Sequence, residues 1–227
     1  MTDQLHPKAK PASYFAIPRS TSSPESHTLL VEKYKSFRLL SLQLSPECFG
    51  STYAREAAFP PETWISRITN PGATNVVAVS GPDTHENADP LLTREWLASL
   101  TLIGPLEASK ALDMFKAQTS VDPSLLEFGD ISDGRSRWHF LLNAMYVVPG
   151  ARGRGLGRGI LDFAKEIARE QGRGDPVRIM LVVDYDNEDA RRTYERAGFA
   201  TVHRYWFDDN RVGRESRTEA GVMRLDL

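Results

Sequence analysis

The sequence predicts a mixed α/β fold, a twisted and mostly antiparallel central sheet flanked by helices, and three observations carry that reading. WHFLLNAMYVV (138–148) is an unbroken apolar run of the kind found in strands buried on both faces, and Pro149 stops it. After it, Leu156, Ile160, Phe163 and Ile167 fall on one face of a helix that begins inside the glycine tract ARGRGLGRG (151–159). VRIMLVV (177–183) is a second buried strand, and NVVAVS with WLASLTLIG, then ATVHRYWF with GVMRLDL, supply strands that pair antiparallel around this centre.

The remaining elements follow in order. Residues 1–27 form an extended N-terminal segment, polar at first and again at STSSPESH, with SYFAI between as a first strand. From Thr28, a helix carries Leu30, Tyr34, Phe37, Leu40 and Leu44 at helical spacing and ends before Pro46. Short helices are predicted at TYAREAAF and at PETWISRI, where Pro61 suits a helix start. Residues 105–137 form a long variable insertion with a helix at EASKALDMFKA, and connections of that length usually carry function. DNEDARRTYERAGF is a helix closed by a C-cap glycine, Gly198. Trp64, Trp96, Trp138 and Trp206 read as core residues.

Composition narrows the function. Lys and Arg number 28 against 30 Asp and Glu, so the chain has no general basic field for a nucleic acid or an anionic membrane, and any basic site is local. No run reaches the roughly 18 apolar residues of a membrane span, and MTDQLHPKAKP is not an apolar leader, so a cytoplasmic protein is expected. Cys48 is the single cysteine, which excludes an intrachain disulfide and a thiolate metal cluster; it reads as a small buried thiol. No histidine pair has metal-ligand spacing, and no metal is expected.

The glycine tract is where the charge gathers. A strand running into a helix N-terminus leaves backbone amides without partners, and glycines let an anion approach them. The helix dipole adds about 0.3–2 kcal/mol for an anion there, and Arg152, Arg154 and Arg158 add charge-assisted hydrogen bonds. A dinucleotide fingerprint fails, because the sixth position counted from Gly153 or Gly155 is Arg158 or Ile160. A Walker loop fails too, since Gly-Lys-Ser/Thr is nowhere present. An arginine-glycine tract for nucleic acid belongs in a polar, disordered setting, not between a buried strand and an amphipathic helix.

Arg152-Gly153-Arg154-Gly155-Leu156-Gly157 resembles the R/Q-x-x-G-x-G/A signature of the GNAT superfamily of acetyl-CoA-dependent N-acetyltransferases. Asn187, Ala190, Tyr194, Gly198 and Phe199 are similar to that family's N-x-x-A-x-x-x-Y-x-x-x-G-F pattern, in the correct order. SPECFGSTYAREAAFPPETW (45–64) resembles a segment of its helical region, with Cys48 where alanine is usual. The resemblance implies one acetyltransferase domain over 28–227, cofactor motifs within 140–200, and two parallel strands splaying apart to admit acetyl-CoA. It implies that Met145, Tyr146 and Val147, the loop residues Arg152, Gly153, Arg154, Gly155, Leu156, Gly157 and Arg158, and Asn187 hold the cofactor.

The implied reaction is attack of an amine on a thioester. By resemblance, Tyr194 protonates the departing thiolate and the Val147 amide meets the thioester carbonyl, while Asn187 also reads as a helix N-cap. The general base stays open, because no carboxylate lies on the first buried strand. His139 and Asn143 are its polar residues, placed by strict alternation on one side with Leu141, Met145 and Val147 unless a bulge intervenes. Glu56 is the other candidate. Asp184 and Asp186 read as turn formers that also suit a cationic acceptor, and His203 as a core or surface histidine. The acceptor is first a small-molecule amine and second a protein amine, on a monomer or homodimer. A catalytically weak acyl-CoA-binding protein of the same fold is the alternative.

Overall fold

The computed structural model describes residues 12–81, 89–119, 135–209, 211, 214 and 217–227. Seven strands form one sheet in the order β1-β2-β3-β4-β5-β7-β6. They are β1 (Ala12–Ala16), β2 (Ala73–Ser80), β3 (Trp96–Leu106), β4 (Trp138–Val147), β5 (Val177–Asp184), β6 (Ala200–Asp208) and β7 (Arg217–Asp226). Every neighbouring pair is antiparallel except β4 and β5. That parallel pair joins Trp138 to Val177 and ends at Leu141 with Met180, although both strands run on. Beyond Leu141 the two backbones part, and a V opens in the middle of the sheet.

Helices cover both faces. On one lie α6 (Leu156–Gly172) and α7 (Glu188–Arg196), whose Leu156, Ile160, Leu161, Ala164 and Tyr194 pack on Val76, Ala98, Leu100, Phe140 and Leu142. On the other, α1 (Pro24–Leu44) and α3 (Pro61–Thr69) bury Phe37, Trp64 and Ile68 over Val77, Val79 and Trp96. Beside them α5 (Ala108–Thr119) buries Ala111 and Phe115 against Leu141, Met180 and Val222. Two short helices, α2 (Tyr53–Ala57) and α4 (Pro90–Thr93), are also present. The alternation of Val76 and Ala78 to one core and Val77 and Val79 to the other is the period of a strand covered on both sides.

Some expectations change. The first long helix begins at Pro24, capped by the Ser23 side chain, rather than at Thr28. Its buried line contains Leu30, Phe37 and Ser41, whereas Leu40 and Leu44 are exposed. Ser41 sits on that line because its hydroxyl donates to the Arg38 carbonyl within the helix. Trp64 and Trp96 are core residues as expected, but Trp206 is 58% exposed on the edge strand β6. Cys48 is exposed, not buried. Residues 120–134 of the long insertion lie outside the described residues.

Candidate active site

The glycine tract leaves β4 through a 3₁₀ turn, Pro149–Ala151, and enters α6 with Gly155 as its N-cap. Gly153 and Gly155 have φ of 75° and 80°, left-handed values that a β-carbon disfavours, and a Cβ on either would meet nothing within 4 Å. No side chain caps α6, and the amides of a helix's first turn have no intrahelical carbonyl to bond. At Gly153 and Gly155 the tract therefore faces open space at the positive end of a 17-residue helix. Such a surface fits a pyrophosphate.

The other two glycines do different work. A Cβ on Gly157 would lie 3.1 Å from Thr193 and 3.3 Å from Met145, so a small residue there lets α6 touch α7 and β4 at once. A Cβ on Gly159 would lie 1.9 Å from the Tyr14 hydroxyl, so that glycine admits β1 against α6. Leu156 is buried in the core and offers only its backbone to a ligand. Arg154 and Arg158 are exposed, and Arg158 leans toward Asp162 at 3.5 Å. Arg152 is exposed as well, but its guanidinium is tied back onto the protein. Its Nε donates to the Val147 carbonyl at 3.1 Å and its Nη2 to the Ser45 hydroxyl at 2.9 Å.

A bulge in β4 redirects its side chains. Ser99 pairs with Tyr146 and Thr101 with Asn143, so β4 uses one residue more than β3 over this span, and Ala144 takes the left-handed φ of 52°. Strict alternation is thereby broken. Met145 and Val147 turn to the α6 core, while Tyr146 joins the α1 core against Phe37 and Phe49. His139, Leu141 and Asn143 keep the side that alternation gave them, but Met145 and Val147 do not share it.

The three base candidates separate on position and partners. His139 is fully buried, paired through its Cα with Arg178 where β4 and β5 are still joined, behind the V rather than in it. Glu56 is buried, and its carboxylate accepts from Arg38 at 3.1 and 2.7 Å and from Arg67 at 2.6 Å. Burial opposes its charge, but the two guanidinium groups win and hold the carboxyl at about 2. A carboxylate so satisfied is a poor proton acceptor, and Glu56 is a structural ion-pair hub rather than a base. Asn143 is half-exposed past the last β4–β5 pair, its Nδ2 donating to Gln118 Oε1 at 3.3 Å, which leaves its own carbonyl oxygen to accept.

Opposite the glycine tract, Asn187 caps α7, its Oδ1 accepting from the Ala190 amide at 3.2 Å. Its Nδ2 faces Cys48 Sγ at 3.7 Å. Tyr194 is buried on the same helix, edge-on to Phe199. Burial pushes its hydroxyl well above the ordinary value, with the nearby Cys48 adding to the shift. Asp184 does not stand free for a cation: its Oδ2 accepts from Arg211 at 2.7 Å and from Arg214 at 2.8 Å, and Arg214 also pairs with Asp186. His203 lies half-buried on β6, stacked on Tyr205. Cys48, noted in the sequence only as a departure from alanine in the SPECFG segment, borders the site with Ser45 of the same segment, and Arg211 and Arg214 join them without any sequence signal. Among the described residues, no group of three or more potential metal ligands comes together, and no helix is long and apolar enough to cross a membrane.

Comparison with known proteins places this arrangement. Residues 116–199 match the Acetyltransferase (GNAT) family. The chain is 33% identical over 164 residues to a mycothiol acetyltransferase of Beutenbergia cavernae, a match covering 67% of this chain and 54% of that relative, so it spans about half that protein's length. It is 34% identical over 79 residues to a streptothricin acetyltransferase of Streptomyces lavendulae, covering 35% of this chain and 40% of the relative. Its fold superposes on Arabidopsis thaliana NAA60 in complex with acetyl-CoA with a TM-score of 0.57 at 16% identity, over 96% of this chain and 99% of that one. Motif, strand topology and these likenesses agree: the chain carries a GNAT acetyltransferase domain.

Proposed function

We propose that the protein is an acetyl-CoA-dependent N-acetyltransferase that moves an acetyl group directly to a primary amine of a small molecule. The single observation that carries this reading is the open glycine turn, Gly153 and Gly155 at the uncapped start of α6, beside a V between parallel strands, with a buried tyrosine on α7. Acetyl-CoA supplies the activated acetyl group. The relatives' names, mycothiol and streptothricin acetyltransferase, support a metabolite acceptor ahead of a protein amine.

The side chains divide the labour in this scheme. The tract amides and the α6 dipole bind the pyrophosphate, and Arg154 and Arg158 add positive charge from the rim. Met145, Tyr146 and Val147 border the pantetheine arm through backbone, and Asn187 borders it from α7. Tyr194 holds its proton at neutral pH as any tyrosine does, and burial disfavours its anion further, so its role here is donor to the leaving thiolate rather than base. The amine must lose a proton that an alkyl ammonium with pKa near about 10.4 holds with about 4–5 kcal/mol at neutral pH. Asn143, alone of the three candidates in the opened part of the V, accepts from that amine or from an ordered water.

Two measurements decide it. Calorimetry with acetyl-CoA is expected to show one binding site per chain, and a panel of small amines with acetyl-CoA is expected to release free thiol for at least one member. No acetyl-CoA binding would sink the proposal. Binding with no amine-dependent thiol release would leave an acyl-CoA-binding protein on the same fold.

A further inference from the structure

The second face of the V is closed by a corner of chain far away in sequence. Ser45 is 1% exposed and ends α1, its amide donating to the Ser41 carbonyl, and it caps the 3₁₀ turn Pro46–Cys48 that follows. From this corner, contacts run to both splayed strands. On the β4 side, Arg152 bonds the Ser45 hydroxyl and the Val147 carbonyl with one guanidinium. On the β5 side, Cys48 meets the α7 cap Asn187, and the Glu47 carbonyl accepts from Arg211 and Arg214, the same two arginines that grip Asp184 at the end of β5.

We propose that Arg152 and Ser45 are positioning residues, a clamp that ties the pyrophosphate loop and the end of β4 to the corner bridging the V. The inference rests on the acetyltransferase reading above. It assigns Arg152 a different task from that of Arg154 and Arg158, because its guanidinium alone of the three bonds both β4 and the corner. Two of its nitrogens are engaged by protein acceptors, with a planar fork reaching two that a lysine cannot reach together. Its charge is also placed to act on the corner: burial raises the Tyr146 hydroxyl, and Arg152 and Ser45 oppose that rise. Residues 45 and 152 are 107 apart in sequence, so the clamp joins segments that chain connectivity leaves independent. Without it, the loop loses its side-chain tie to the corner, and the corner loses its hold on the β4 half of the V.

A double-mutant cycle of Ser45→Ala and Arg152→Ala, with Arg152→Lys beside it, tests this. Acetyl-CoA affinity is expected to fall roughly tenfold in Arg152→Ala, less in Ser45→Ala, and in the double no further than in Arg152→Ala, because the serine variant removes one of the two contacts that the arginine variant removes. Arg152→Lys is expected to rescue little, and the loss to change little between low and high salt. Urea unfolding of the same proteins reads the Ser45–Arg152 coupling without ligand and is expected to be non-additive there too. A silent Ser45→Ala, with an Arg152→Ala loss that lysine rescues and salt erodes, would make Arg152 a direct phosphate contact and overturn the clamp. Additive unfolding energies would overturn it as well. Wild-type protein that binds no acetyl-CoA while the unfolding cycle remains non-additive would instead sink the acetyltransferase reading and, with it, the positioning role.

Discussion

Tyr194 and Glu56 illustrate how burial produces opposite chemistry depending on partners. Tyr194 is buried among apolar groups, so its neutral form is favoured and its proton is retained. Tyr194→Phe keeps the ring packed on Phe199 and removes only the hydroxyl. Turnover is expected to fall by about 10²–10⁴ while acetyl-CoA affinity, read by calorimetry, stays unchanged. Unchanged turnover would reduce Tyr194 to a packing residue. Glu56 is equally buried but satisfied by Arg38 and Arg67, and its carboxyl is held at about 2 against an ordinary 4.5. A depressed carboxyl contributes stability that is complete above its unfolded value and lost as pH falls through its folded one. That contribution, on the order of 3 kcal/mol, is expected to disappear between about pH 4.5 and pH 2. Glu56→Gln is accordingly expected to lower stability at neutral pH, with the gap to wild type narrowing in acid. A shift in the pH profile of turnover with stability unchanged would return Glu56 to the list of bases.

At the scale of the element, the strand, glycine turn and helix from Trp138 to Gly172 concentrate most of the site. Its glycines are not equivalent, and the difference yields a paired prediction. Gly155 combines a left-handed φ of 80° with open space, so valine there is strained and also projects into the ligand's volume. Gly155→Val is expected to abolish acetyl-CoA binding, whereas Arg158→Ala, which removes an exposed guanidinium already leaning on Asp162, is expected to weaken it only several-fold. Equal losses by calorimetry would mean that side-chain charge, not backbone, does the binding. The bulge at Asn143–Tyr146 is the second feature of this element. It turns Met145 and Val147 to one core and Tyr146 to the other, which lets a single strand serve the α6 side and the α1 side of the V in succession.

For the whole molecule, a ligand that lies across the V and on the α6 N-terminus touches both halves of the sheet and stabilises the folded state by mass action. Acetyl-CoA at 100 times its dissociation constant is expected to add about 2.7 kcal/mol, a rise in Tm of roughly 5–10 °C for a chain of this size. No shift at that ratio would contradict binding to the native fold. Both motif ends of the cleft were legible in advance, because they are local: a buried apolar run, a glycine turn and an amphipathic helix are written in consecutive residues. The helix positions of Tyr194 and Asn187 were legible for the same reason, each at a fixed place on one short helix. Glu56, Asp184 and Cys48 were not, since each is defined by partners remote in sequence: Arg38 and Arg67, Arg211 and Arg214, and Asn187. The exposed Trp206 and Leu44 were misread because apolar character alone does not say which face the fold covers.

By itself, then, the sequence determined the elements, their order and the donor-rich glycine turn, through periodicities and backbone preferences that act over a few residues. Only the tertiary structure decided where β4 and β5 part, on which side of the bulge each β4 residue falls, and which charged groups are already spent on one another. Those outcomes depend on hydrogen-bond register and ion pairing between segments tens of residues apart. The contact of Arg152 with Ser45, across 107 residues, is the clearest of them.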